Sequence, residues 1–75
     1  MSIRVIIYLK SNSGPKPYRA CYFAVREYER LMKDFTQYQQ YGTPQTGTYT
    51  EDISSNDEQM ILMEFGTIAE LRTPG

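Results

Sequence analysis

One amphipathic stretch constrains the fold of this 75-residue chain more than any other feature. Between residues 24 and 41, apolar side chains recur every three or four positions, from Val25 to Phe35. This spacing predicts a helix with one apolar face. Gly42 and Pro44 follow where a left-handed cap and a helix stop are expected. A single helix covers only one side of a sheet, so we expect the other side to face solvent, a ligand or another subunit.

Strand-forming residues lie on both sides of the predicted helix. Short runs of β-branched, aromatic and aliphatic residues predict four strands, over residues 3–9, 18–23, 48–53 and 59–65. Residues 67–72 fit either a further strand or a short helical turn, because Ile68 and Leu71 have helical spacing. The two most apolar strands, 3–9 and 59–65, are expected to be neighbours near the middle of the sheet.

These elements predict one α+β domain over residues 1–75. Its elements follow the order β-β-α-β-β, with room for a short C-terminal strand. The expected architecture is a small antiparallel sheet with one helix packed on one face. A domain of this size buries only about 60–65% of the surface that its unfolded chain exposes. We therefore expect a homo-oligomer, in which a second subunit adds to a thin core.

One cysteine and no histidine limit the chemistry that the chain offers. An intrachain disulfide is excluded, and the usual zinc ligand sets are absent. Cys21 lies inside a predicted strand between apolar residues, which favours a small buried side chain over a nucleophile. The carboxylates show no spacing that brings two of them together, so we interpret them as solvated surface charge. We predict no enzymatic activity, no cofactor and no metal site.

The sequence also indicates where the protein acts. It contains no run of 18 apolar residues, so we expect no membrane partner. A lone unpaired thiol fits a reducing compartment, and we predict a cytoplasmic protein, acting either in its own cell or in the cytosol of a host cell. The sequence pI near 5.3 weighs against nucleic acid as the first choice of partner.

Two loops match ligand-binding motifs only in part. Residues 52–58 place oxygen-bearing side chains at the first positions of a calcium-binding loop, but Asp57 stands where glycine is required. A hairpin turn rich in Asp, Asn and Ser explains the same residues. Residues 11–17 combine small residues with Lys16, yet they lack the Gly-Lys-Ser/Thr ending of a nucleotide-binding loop. We therefore interpret residues 11–17 as a flexible hairpin connection.

Opposite charges are separated along the chain. Residues 1–33 hold seven cations and two carboxylates, a balance of +5, whereas residues 34–75 hold one cation and seven carboxylates, a balance of −6. Such a chain can neutralise itself internally, pair with a copy of itself, or offer two unlike faces to partners. On the predicted helix, Arg30 is expected to meet Asp34.

Tyrosine is the most abundant aromatic residue, with seven copies in the chain. Tyr28 lies on the apolar stripe of the predicted helix and is expected in the core. Five others are more than a core of this size is expected to absorb: Tyr18, Tyr22, Tyr38, Tyr41 and Tyr49. Exposed tyrosine is enriched at protein interfaces, because it buries a large ring at modest entropic cost.

Cations and tyrosines are interleaved in the second predicted strand and the helix that follows. This combination predicts a non-enzymatic module that acts as an accessory or inhibitor, binds an unidentified protein partner, and forms a homodimer. The predicted partner-contact residues are Tyr18, Arg19, Tyr22, Arg26 and Arg30. The alternative is a single-stranded nucleic-acid-binding protein that uses the same face, with arginines on phosphates and tyrosines stacked on bases.

Overall fold

The chain forms five strands and one long helix in a computed structural model, which describes residues 1–52 and 59–74. A single turn of 3-10 helix, Phe65–Thr67, precedes the last strand. The elements are β1 (Ser2–Leu9), β2 (Lys16–Ala24), α1 (Val25–Tyr41), β3 (Thr46–Glu51), β4 (Gln59–Glu64) and β5 (Ile68–Arg72). The predicted α+β class and the β-β-α-β-β order are confirmed, and the segment left open between strand and helical turn forms strand β5.

The strands form two antiparallel sheets where one was expected. The first has the order β2-β1-β5, and the second is the hairpin β3-β4. The expectation that β1 and β4 are neighbours is therefore wrong. Both strands are strongly apolar, but the sequence gives no local signal for which strands pair. The 3-10 turn after β4 leads the chain to β1, where β5 takes the edge position beside it.

A single core joins both sheets and the helix. Along β1, Val5 and Ile7 point inward, and they pair with Cys21 and Arg19 on β2. The buried apolar side chains are Val5, Ile7, Cys21, Phe23, Leu31, Phe35, Tyr49, Ile61, Met63, Phe65 and Ile68. Because the hairpin contributes to the same core, it packs over the inward face of the three-stranded sheet, and α1 lies beside it.

Helix α1 begins and ends close to the predicted bounds. Ala24 stands at the N-cap and supplies no side-chain hydrogen bond. Gly42 adopts a left-handed conformation with φ of 80°, and its N–H donates to the carbonyl oxygen of Tyr38 at 2.8 Å. The predicted glycine cap is confirmed. Across residues 1–52 and 59–74, every helix is too short or too polar to span a membrane.

Candidate interaction surfaces

The five predicted contact residues do not share one surface, because β2 has two faces. Tyr22 pairs with Arg4 and points away from the helix, with 43% of its surface exposed. Arg19 pairs with Ile7 and points inward. Tyr18 lies at an irregularity in the β1–β2 register and is exposed. Arg26 is exposed in the first turn of α1. The structure therefore divides these residues between at least two surfaces.

Arg19 is held by an acidic residue from a distant part of the chain. Its Nη2 lies 3.5 Å from Oε1 of Glu51, the last residue of β3. Glu51 is only 6% exposed, and its other carboxylate oxygen accepts the backbone N–H of Tyr22 at 3.4 Å. The backbone N–H of Asp52 donates to the carbonyl oxygen of Tyr22 at 2.7 Å. Arg19 therefore helps fix the end of β3 to β2, and 42% of its side chain remains exposed.

Arg30 is also engaged within the fold. Its guanidinium donates to both carboxylate oxygens of Glu27, at 2.9 and 3.0 Å, and to the carbonyl oxygen of Thr48 at 2.7 Å. It also lies over the ring of Tyr49, 4.3 Å from the ring centre. The expected Arg30–Asp34 ion pair is not formed, because Glu27 and β3 hold the guanidinium on the other side. Hydrogen bonding to Arg30 keeps the pKa of Glu27 below its ordinary value.

Tyr49 corrects the prediction that five tyrosines are surplus to the core. It is fully buried, and its hydroxyl donates to Oδ2 of Asp34 at 2.6 Å. Burial raises the pKa of Tyr49 far above its ordinary value, so the phenol stays protonated. Tyr38 packs against the core in part, whereas Tyr18, Tyr22 and Tyr41 remain exposed. The surplus of exposed rings is therefore smaller than predicted.

The first surface is the outward face of the three-stranded sheet, which we call the open sheet face. Helix α1 packs on the opposite face, and Arg4, Tyr22 and Arg72 are exposed here. The guanidinium of Arg72 lies over the ring of Tyr8, 4.3 Å from its centre, and pairs with Glu70. The register places these side chains on this face: Arg4, Ile6, Tyr8, Ala20, Tyr22, Glu70 and Arg72.

The second surface is a groove of about 660 Å³ beside strand β4, which we call the β4 groove. Gln59–Glu64 form one side of it, and Ile7, Leu9, Tyr18 and Arg19 of the three-stranded sheet form its floor and far wall. Two apolar side chains of β4 point away from the core and are largely exposed, Met60 at 61% and Leu62 at 59%. The predicted residues Tyr18 and Arg19 therefore belong to this groove and not to the open sheet face.

Several residues of both surfaces were not among the predicted contacts. Arg4 and Tyr8 alternate with inward residues of β1, so strand periodicity could have placed them opposite the helix. Met60 and Leu62 occupy outer positions of β4, where a half-buried strand is expected to carry polar residues. Arg72 could not be found in this way, because the sequence of residues 67–72 fits either a strand or a helical turn.

The structure bears on three candidates that the sequence offered: the lone cysteine, a metal cluster and the loop at residues 11–17. Cys21 is buried as predicted, and burial raises the pKa of its thiol. Over residues 1–52 and 59–74, no three His, Cys, Asp or Glu side chains come together in an arrangement that could hold a metal ion. Residues 11–17 contain a tight turn closed by the N–H of Gly14 on the carbonyl oxygen of Ser11. Of the calcium-like stretch 52–58, residues 53–58 lie outside the described residues.

Comparison with known protein families, curated proteins and solved structures gave no match for this chain. Its function is therefore inferred from the two surfaces and from the chemistry of their residues.

Proposed function

We propose that this protein is a non-enzymatic, cytoplasmic binding module that forms a homodimer through its open sheet face. The observation that carries the proposal is the position of Tyr22. It is a large ring, 43% exposed, on a sheet face that lies opposite the only long helix of the described residues. Next to it on the same face lie the apolar side chains of Ile6 and Ala20. The open side of an antiparallel sheet commonly faces water and is then polar, so a ring and apolar side chains on that side mark it as a surface for a partner.

The composition of the open sheet face supports a protein partner. Tyrosine and arginine are among the residues enriched at the centres of protein interfaces. The face carries Arg4 and Arg72 together with Glu70. Because both signs of charge are present, a second copy of the face offers a carboxylate to an arginine of the first. A chain of 75 residues also gains stability from burying more apolar surface in a dimer.

The proposal is tested by measuring the mass of the protein in solution. Light scattering at two salt concentrations should give a dimer for the natural chain. Tyr22→Ala should shift the mass to that of a monomer, and Arg26→Ala tests whether the first turn of α1 belongs to the same interface. Tyr41→Ala removes an exposed ring at the far end of α1 and is the matched control. A natural chain that stays monomeric at high concentration would exclude the homodimer.

A second candidate function is binding of single-stranded nucleic acid on the same face. One observation favours it, the placement of cations beside aromatic rings, with Arg72 over Tyr8 and Arg4 paired with Tyr22. Single-strand readers use such rings to stack bases and such cations to hold phosphates. Nucleic-acid affinity falls steeply with added salt, whereas a tyrosine-centred protein interface responds weakly. Absence of binding to short oligonucleotides at low ionic strength would exclude this function.

A further inference from the structure

The two outer edges of the β3-β4 hairpin differ in the described structure. Along β3, Arg30 donates to the carbonyl oxygen of Thr48, and the backbone N–H of Thr50 donates to Glu27 at 2.7 Å. Side chains of α1 therefore satisfy the backbone groups that a neighbouring strand would otherwise use. Along β4, the corresponding edge faces the β4 groove. Helix α1 therefore blocks the addition of a further strand at the β3 edge of the hairpin but not at the β4 edge.

The register identifies which backbone groups of β4 face the groove. Thr48 and Thr50 direct their backbone groups away from β4, so Tyr49 must form the hydrogen-bonded pair with Ile61. Alternation then turns the N–H and C=O groups of Met60 and Leu62 toward the groove. No described residue outside β4 forms a hydrogen bond with these groups. Among residues 1–52 and 59–74, these donors and acceptors have no backbone partner, and they lie beside the exposed apolar side chains of β4.

The groove also has a floor for the side chains of an added strand. Leu9 of β1, which is partly exposed, and the exposed ring of Tyr18 of β2 provide apolar surface, and Arg19 provides a partly exposed cation from β2. Arg19 contacts Glu51, which pairs with Gln59, so the cation lies at the beginning of β4. Glu64 lies at the opposite end and is exposed. The groove thus combines apolar surface with opposite charges at its two ends.

We propose that the β4 groove binds an extended segment of a partner protein, which adds to β4 as an antiparallel strand. Backbone hydrogen bonds to Met60 and Leu62 supply affinity, and alternate apolar side chains of the segment rest on Leu9 and on the exposed ring of Tyr18. An antiparallel segment runs from the end at Glu64 to the end at Arg19. It therefore carries a cation near its N-terminal end and a carboxylate near its C-terminal end.

A second copy of this chain does not fit the groove in the same way. Two β4 strands paired antiparallel would be related by a two-fold axis perpendicular to their common sheet. Both three-stranded sheets would then lie on the same side of that sheet. The floor of one groove, which includes Ile7 and Leu9, would occupy the space in which the other copy packs its own sheet against Ile61 and Met63. A single extended segment meets no such conflict.

The probe is a displayed library of random heptapeptides, selected on the full chain. Selection should enrich peptides with alternating apolar residues, Lys or Arg near the N-terminus and Asp or Glu near the C-terminus. Binding of an enriched peptide should slow amide hydrogen exchange at Met60 and Leu62 and leave the exchange of Ile61 and Met63 unchanged. Failure to select binders, or binders that leave Met60 and Leu62 unprotected, would overturn the proposal.

Two substitutions of Leu62 distinguish binding of the peptide by the backbone of β4 from contact with the Leu62 side chain. Leu62→Pro removes an N–H that the β3 pairing does not use and should weaken the enriched peptide about five- to tenfold. Leu62→Thr keeps the N–H and the strand preference, and it is the matched control for folding. If Leu62→Pro does not fold, Arg19→Gln gives the second test, since it should remove the preference for a C-terminal carboxylate. Equal affinity of both Leu62 variants, or an unchanged preference in Arg19→Gln, would contradict the proposal.

Two further outcomes distinguish this site from the open sheet face. Tyr22→Ala should leave peptide affinity unchanged, even where it abolishes the dimer. Leu62→Pro should leave the solution mass unchanged. Loss of dimerisation in Leu62→Pro would show that a second copy occupies β4, and it would overturn the choice of a partner segment.

Discussion

Gly47 shows how a residue without a side chain determines the position of a buried ring. A Cβ atom built on Gly47 would lie 2.7 Å from Cε2 and Cζ of Tyr49 and would also overlap the hydroxyl oxygen. The ring cannot move aside freely, because Tyr49 is fully buried and its hydroxyl is bound to Asp34. We expect Gly47→Ala to lower the free energy of unfolding by about 1–3 kcal/mol. Urea denaturation followed by circular dichroism measures this change.

Gly66 provides the matched control for that prediction. A Cβ atom at Gly66 would meet only the hydroxyl oxygen of Tyr38, at 3.3 Å, and that oxygen lies at the end of a partly exposed side chain. Gly66→Ala is therefore expected to change the free energy of unfolding by less than about 1 kcal/mol. An equal loss in the two variants would contradict the close packing of Tyr49 over Gly47.

At the scale of elements, the junction between α1 and β3 predicts a dependence of stability on pH. Glu27 accepts hydrogen bonds from Arg30 and from the N–H of Thr50, and both lower the pKa of its carboxyl below the ordinary value of 4.5. A lowered folded-state pKa means that the stabilising contribution is complete above pH 4.5 and is lost as pH falls through the folded value. Glu27→Gln should therefore reduce stability at pH 7 and remove part of the loss seen at lower pH.

Thermal unfolding between pH 7 and pH 3 measures the effect of Glu27. Glu29→Gln is the control, because Glu29 is exposed on the same helix and forms no ion pair in residues 1–52 and 59–74. Both substitutions replace a carboxylate by an amide of the same size and remove one negative charge. If Glu29→Gln alters the acid limb of the stability curve as much as Glu27→Gln, the junction does not carry the pH dependence.

The end of α1 gives a second prediction at this scale. Gly42 has φ of 80°, and nothing lies within 4 Å of a Cβ atom built on it. Gly42→Ala therefore introduces backbone strain without a steric clash, and we expect a loss of about 1 kcal/mol in the free energy of unfolding. Gly42→Asn should recover part of this loss, since asparagine tolerates the left-handed conformation better than alanine. A neutral Gly42→Ala would contradict the left-handed cap.

The sequence could predict the elements whose structure depends on residues close together in the chain. Helix α1 and its cap follow from apolar periodicity and from Gly42, which act within a few residues. The pairing of β1 with β5 could not be predicted, because it depends on contacts between the two ends of the chain. The ion pair of Arg19 likewise depends on a distant partner, Glu51. At the candidate surfaces, the exposure of Tyr22 was therefore predictable, whereas the internal contacts of Arg19 and Arg30 were not.

At the scale of the whole molecule, contacts among the described residues neutralise only part of the separation of charge along the chain. Of the ion pairs in residues 1–52 and 59–74, Arg19–Glu51 joins the basic and acidic parts of the chain. The other two, Arg30–Glu27 and Arg72–Glu70, connect residues within the same part. Folding therefore leaves charges available to interact with other molecules, and salt should modulate any association.

Dimerisation through the open sheet face predicts that thermal stability depends on protein concentration. Dissociation accompanies unfolding in such a system, so mass action favours the folded dimer as concentration rises. A tenfold increase contributes roughly 0.7 kcal/mol per chain when most of the protein is dimeric. For a domain of this size, that corresponds to an increase in Tm of about 3–6 °C.

Scanning calorimetry over a hundredfold range of concentration measures this dependence. Tyr22→Ala should abolish it, because the variant lacks the ring at the centre of the proposed interface. Leu62→Pro should retain the dependence on concentration, because β4 does not belong to the open sheet face. Any loss of stability in this variant lowers Tm equally at every concentration. A Tm of the natural chain that stays constant over the whole range would show that the folded chain is stable alone, and the open sheet face would then need a partner other than a second copy.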